Sequence, residues 1–167
     1  MIKLIVMDVD GTLTDGSIYY DTAGNELKKF SVKDAAGILA AEAVGISCMI
    51  LTGRESPMVK KRAEELKISY IIQGIKDKEA FLTRFLRENN IAPGDVLYIG
   101  DDLNDIRAMR QAGFAGCPAD SADEVLELSD YVSRLRGGCG AVRDVIFHFL
   151  KTEGVYEKAV SKAYGGI

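Results

Sequence analysis

The stretch "DVDGTLTDG", residues 8–16, places Asp8, Asp10 and Asp15 directly after an apolar run, with only Val9 between the first two. Carboxylates this close at the end of a buried strand repel one another where water screens poorly, so a bound cation is the first candidate for what holds them. A second acidic cluster, "GDDLND" at 100–105, contributes Asp101, Asp102 and Asp105. Two such clusters on adjacent loops supply the oxygen ligands Mg²⁺ prefers, a few carboxylates completed by water. "LTGR" at 51–54 adds the Thr52 hydroxyl and, at Gly53, a backbone N–H that an anion can approach closely; Lys78 adds positive charge. These residue types suit phosphoryl transfer. Asp8 can attack phosphorus to form an acyl phosphate. Asp10 points to the same side of an extended backbone and can serve as general acid, then base. Asp15, in "TDGS", reads better as a turn residue than as a ligand.

The elements that must position these groups follow from hydrophobic patterning. "KLIVMDV" (3–9), "SCMIL" (47–51), "SYII" (69–72), "DVLYIG" (95–100) and "GFAGC" (113–117) read as strands buried on both faces. Amphipathic helices are expected over 34–44, 57–66, 78–89 and 141–151, with Ser56 as N-cap and Pro57 at the first position of the second. Strand–helix alternation at this spacing predicts a doubly wound, Rossmann-like α/β fold with a parallel sheet and helices on both faces. In such a sheet ligands gather beyond the carboxyl ends of the strands, and each polar motif follows a strand or opens a helix at that edge. Residues 17–30 break the alternation and read as a projecting β-hairpin around "DTAGNE". The expected organisation is one domain over 1–152 and a C-terminal tail, 153–167, that either frays or docks on a neighbouring subunit.

Composition excludes several classes. A net charge of −4 without a basic tract argues against nucleic-acid binding. No apolar run approaches a membrane span, and the N-terminus lacks a secretory pattern, so a cytoplasmic protein is expected. Cys48, Cys117 and Cys139 are odd in number without CxxC spacing, which disfavours disulfides and zinc; the first two read as small core residues. His148 is the sole histidine, in "VIFHFL", and reads as a partly buried helix residue.

"DVDGTLTDG", "LTGR", "DK" at 77–78 and "GDDLND" resemble, in order, the four motifs of the haloacid dehalogenase (HAD) superfamily of phosphotransferases. The resemblance implies Asp8 as nucleophile and Asp10 as acid/base, with Mg²⁺ held by Asp8, the Asp10 backbone carbonyl and Asp101. Asp102 and Asp105 would support those ligands from behind, while Thr52 and Lys78 would bind the phosphoryl group. The intervals 14–34 and 53–78 leave no room for a cap domain, so the site is expected to be open and the phosphoryl group to pass to water.

"FSVKDAAGI" (30–38), "LTGRESPMVKKRAEEL" (51–66) and "RGGCGAVRD" (136–144) resemble the 3-deoxy-D-manno-octulosonate 8-phosphate (KDO 8-phosphate) phosphatases, a capless, tetrameric group of lipopolysaccharide biosynthesis. That resemblance implies substrate contacts from Val32, Lys33, Asp34, Gly53, Arg54 and Arg62, and a tail ending "YGGI" that reaches into a neighbouring site of a homotetramer. Arg54 suits a sugar-acid carboxylate, which its planar fork can bind through two hydrogen bonds; Arg62 equally fits a solvated position on a helix of mixed charge. Leu39 stands where many of the group carry arginine. Glu65 stands where phosphatases of nine-carbon sugar acids carry lysine, and those relatives have glutamate in place of Arg54. The alternatives are such a 9-phosphate phosphatase, a non-catalytic HAD-like oligomerisation domain, and a protein phosphatase. Retention of Asp8, Asp10, Lys78 and Asp101 favours an enzyme.

Overall fold

Leu4–Met7 form β1, whose four side chains are all buried, and this strand lies at the centre of a six-stranded parallel sheet. The computed structural model describes residues 1–165. After β1 come β2 (Tyr19–Tyr20), β3 (Glu26–Leu27), α1 (Asp34–Ala43), β4 (Ser47–Leu51), α2 (Pro57–Glu65), β5 (Tyr70–Ile72) and α3 (Lys78–Glu88). The second half runs β6 (Val96–Ile99), α4 (Ile106–Met109), β7 (Phe114–Cys117), α5 (Asp123–Leu128), β8 (Tyr131–Val132), α6 (Ala141–Thr152) and α7 (Tyr156–Tyr164). Sheet order is β5-β4-β1-β6-β7-β8, so strand order reverses at β1. The expected doubly wound α/β fold is present, without a cap domain.

Alternation along β1 divides the core. Ile5 and Met7 face a layer containing Ile38 of α1, Val59 of α2 and Val142 and Ile146 of α6. Leu4 and Val6 face Leu82 and Leu86 of α3, with Tyr98 of β6. An even-numbered residue after β1 therefore leans towards the α3 side. Register then sets the site's level: Met7 lies opposite Ile50 of β4 and Ile99 of β6. Asp8, Thr52 and Asp101 consequently emerge together at the carboxyl edge.

The hairpin of β2 and β3 is antiparallel, its turn tied by the Asp21 carboxylate accepting from the Ala23 and Asn25 amides at 2.9 and 2.8 Å. β5 is half-buried rather than covered on both faces, because it ends the sheet. Ser56 occupies the N-cap position of α2, but its side chain makes no capping bond and its hydroxyl is buried without a partner. Asp77 does cap α3, accepting from the Ala80 amide at 3.0 Å. β8, α4 and α5 were not expected from the sequence. Residues 156–164 form α7, which buries Ala159 and Val160; of the terminal "YGGI", the last two residues lie outside those described. Cys48 and Cys117 are buried, and His148 stacks on Tyr131 at 3.8 Å between ring centroids.

Candidate active site

Lys78 is the pivot of the site. Its side chain is 1 % exposed, and its ammonium lies 2.7 Å from Asp8 Oδ1 and 2.7 Å from Asp105 Oδ1. It reaches them because Asp77 caps α3 and points the first helical residue at the end of β1. Asp105 is fully buried and saturated: Oδ1 also accepts from the Tyr98 hydroxyl at 2.8 Å, and Oδ2 from the Asp101 and Asp102 amides at 3.2 and 3.5 Å. It therefore braces the lysine and the 100–105 loop. Thr12 Oγ1 donates to Asp101 Oδ1 at 2.8 Å, which joins the two acidic loops.

The electrostatics are those of a site short of positive charge. Burial, then the charge of Asp105, pushes the Asp8 carboxyl up to about 6 even though Lys78 opposes them. Burial, then the charge of Asp8, pushes Asp101 up to about 8. Burial also works against the Lys78 ammonium, but Asp8 and Asp105 outweigh it and hold its pKa above the usual lysine value. Asp8, Asp101 and Asp105 offer oxygens within 4.8 Å of one another. Asp105 is already committed to four donors, so Asp8 and Asp101 are the carboxylates free to hold a cation. A divalent ion would relieve the repulsion between them, and hard oxygen donors suit Mg²⁺.

A cavity of about 360 Å³ opens above these groups, lined by Asp8, Asp10, Thr52, Gly53, Arg54, Asp102, Leu103 and Asn104. Thr52 is buried and Arg54 stands half-exposed at the wall. Asp102 lies in the wall as well, rather than only supporting the ligands from behind. The loop carrying Asp8 and Asp10 is clamped from outside: Gly137 packs so tightly that a Cβ there would overlap the Gly11 carbonyl, and the Gly138 amide donates to Thr12 O at 3.2 Å. Asp15 is a turn residue, accepting from the Ser17 amide at 3.1 Å and the Tyr19 hydroxyl at 2.7 Å.

Five expected substrate contacts do not line this cavity: Lys78, which is held by Asp8 and Asp105, and four others that stand apart from it. Asp34 turns inward, where its Oδ1 accepts from the Arg143 amide at 3.0 Å and caps α6, whose own N-cap is a glycine. Its Oδ2 is buried without a partner, and burial raises its pKa to about 6. Arg62 binds Glu65 at 3.3 Å and Ser31 O at 3.4 Å. Val32 and Lys33 are exposed beside them on the segment entering α1. Conversely, sequence reasoning missed Thr12, Tyr98, Glu26 and Lys28. Thr12 sits within the quoted motif; Tyr98 reads as an ordinary core aromatic; nothing in "NELKKF" singles out one lysine.

A parallel sheet with a buried aspartate at its central strand, a lysine opening a neighbouring helix and an acidic loop beside them defines a HAD-type hydrolase. A profile of the haloacid dehalogenase-like hydrolases matches residues 31–113. The 3-deoxy-D-manno-octulosonate 8-phosphate phosphatase KdsC of Escherichia coli is 39% identical over 158 residues, covering 95% of this chain and 84% of that protein. The crystal structure of the Moraxella catarrhalis 3-deoxy-D-manno-octulosonate 8-phosphate phosphatase, in complex with magnesium, phosphate and KDO, is 42% identical with a TM-score of 0.91, covering 96% of this chain and 92% of that one. The cobalt-bound Haemophilus influenzae deoxy-D-mannose-octulosonate 8-phosphate phosphatase gives 33% identity and a TM-score of 0.87, with 93% and 91% covered. The chain belongs to the haloacid dehalogenase-like hydrolases, in the family of the KDO 8-phosphate phosphatases.

Proposed function

We propose that this chain is a Mg²⁺-dependent phosphoric monoester hydrolase that converts KDO 8-phosphate to KDO and phosphate through an aspartyl-phosphate intermediate. The observation that carries the reading is Asp8, buried at the head of β1, held by Lys78 at 2.7 Å and facing Asp101 across the acidic cluster. The level of identity to phosphatases of that ester supports the substrate.

In the first step an Asp8 oxygen forms a bond to phosphorus as the bond to the sugar oxygen breaks, and Asp10 gives that oxygen its proton. In the second, water attacks the aspartyl phosphate and Asp10 takes its proton back, freeing Asp8 and phosphate. Thr52, the Gly53 amide and Lys78 hold the phosphoryl oxygens. Asp8, Asp101 and the Asp10 carbonyl would hold Mg²⁺, which when bound neutralises charge on the phosphoryl oxygens. Arg54, at the cavity wall, binds the sugar-acid carboxylate. The outward face of the hairpin exposes Tyr19 and Leu27, paired across its two strands; that face supports a homotetramer in which Val32, Lys33 and Arg62 line a site completed by a neighbour. The reaction belongs to lipopolysaccharide biosynthesis in the cytoplasm.

Phosphate release with Mg²⁺ from KDO 8-phosphate, nine-carbon sialic-type 9-phosphates and hexose phosphates tests the reading. A kcat/KM for the KDO ester well above the others is expected. A flat, weak profile would leave the mechanism but remove the substrate.

A further inference from the structure

The hairpin carries more than its exposed face. Its strands are two residues each, and a two-stranded ribbon is marginal in water, so side-chain contacts must seat it on the sheet edge. Alternation sends Glu26 and Lys28 inward and Leu27 and Lys29 outward. The Lys28 side chain is 1 % exposed, a rare burial for lysine, and its ammonium pairs with Asp10 Oδ1 and, at 2.9 Å, with Glu26 Oε1. Glu26 Oε2 in turn holds Arg54 Nη2 at 3.0 Å. Asp10 Oδ2 has a looser neighbour, Arg54 Nε at 3.8 Å.

The two oxygens of Asp10 are thus unequal: one is fixed by a buried cation, the other faces the side chain at the cavity wall. We infer that Lys28 is the positioning residue of the acid/base step, holding Asp10 Oδ1 so that Oδ2 remains the oxygen that gives and takes the proton. The inference rests on the reading of Asp10 as acid and base. Proton transfer needs a donor within hydrogen-bond reach of the leaving oxygen, and a displacement near 1 Å can cost about 10²-fold in rate. Lys28, with its side chain 1 % exposed, is also a cation that the chemistry outlined above leaves unused. It needs no contact with the substrate, since Asp10 and Glu26 occupy it. The hairpin therefore aims the acid.

A structural salt bridge would slow every substrate alike, whereas an aimed acid matters only where the leaving group needs a proton. Lys28→Met and Lys28→Arg are compared with the wild-type protein in single-turnover release of the leaving group from two esters. From KDO 8-phosphate the sugar acid leaves as an alkoxide that must be protonated; from 2,4-dinitrophenyl phosphate the dinitrophenolate leaves as a stable anion. Lys28→Met is expected to lose about 10²-fold on the KDO ester and less than about 3-fold on the aryl ester. Lys28→Arg, which keeps the charge, recovers part of the alkyl rate. Equal losses on both esters, or no loss on either, overturn the inference. If Lys28→Met does not fold, Lys28→Arg decides: a changed ratio between the esters supports the role, and an unchanged ratio overturns it. The comparison reads equally on a hexose 6-phosphate, so a wrong substrate and a wrong role for Lys28 fail separately.

Discussion

Replacing Lys78 by methionine removes the one cation buried between Asp8 and Asp105, each 2.7 Å from its ammonium. Methionine keeps much of the stem, so the loss is mainly electrostatic. Breaking a buried ion pair from one side costs ~3–5 kcal/mol, because the surviving charge stays desolvated. The cost depends on pH. The Asp8 carboxyl already stands raised from 3.8 to about 6, and without Lys78 it rises further. A raised carboxyl penalises the folded state only once ionised: the penalty is absent below the unfolded value, grows as pH climbs, and is complete above the folded value. Lys78→Met should therefore lie close to the wild type near pH 4 and fall furthest behind near pH 8. At ~2–4 °C per kcal/mol for a domain of this size, the deficit in Tm at pH 8 with EDTA is ~6–20 °C. Mg²⁺ at a hundredfold over its Kd should restore ~2.7 kcal/mol if the variant still binds it. Thermal melts by circular dichroism across pH, with EDTA and with Mg²⁺, make the measurement. A deficit independent of pH, or no deficit at pH 8, would refute the reasoning.

Asp34→Asn keeps the acceptor for the Arg143 amide and removes a charge that burial holds at a pKa of about 6, above the ordinary aspartate value of 3.8. That rise sets a ceiling of ~3 kcal/mol, and the new amide protons lack partners, so a gain of ~1 kcal/mol above pH 6 is expected. Because the wild-type carboxyl is raised, that gain should appear between about pH 4 and 6; urea melts showing a difference flat with pH would count against it. Gly137→Ala drives a Cβ into the Gly11 carbonyl, so ~1–3 kcal/mol of stability should be lost. Its kcat should fall at least about tenfold, since a shifted loop misplaces Asp8 and Asp10; an unchanged kcat would show that the clamp does not position them.

What the sequence makes legible is whatever rests on local pattern. "LIVM" and "SCMIL" are runs too apolar to be anything but interior strands, and β4 has the bounds expected of it. β8 escapes because two residues make no pattern, and α7 leaves only a weak helical pattern because only Ala159 and Val160 of its nine residues are buried. At the site, Asp8, Asp10, Lys78 and Asp101 stand in ordered motifs and come together at one edge. Asp34 and Arg62 are different: both lie on helical segments whose pattern cannot say which neighbour a polar side chain will meet. Lys28 is the hardest, since its value comes from meeting a residue 18 positions earlier across a hairpin whose charge looks merely soluble.

The place of β1 sets an order of events during synthesis. β1 is made before either of the two neighbours it needs, and the second of these, β6, begins only at Val96. At about 5–20 residues per second, a ribosome leaves that apolar strand half-paired for on the order of ten seconds. Asp8 and Asp101 first meet at the same moment, because the pairing of β1 with β6 brings their loops together. No N-terminal fragment ending before β6 can own a complete acidic site, so capture of a metal ion reports that the nascent chain has paired β1 with β6.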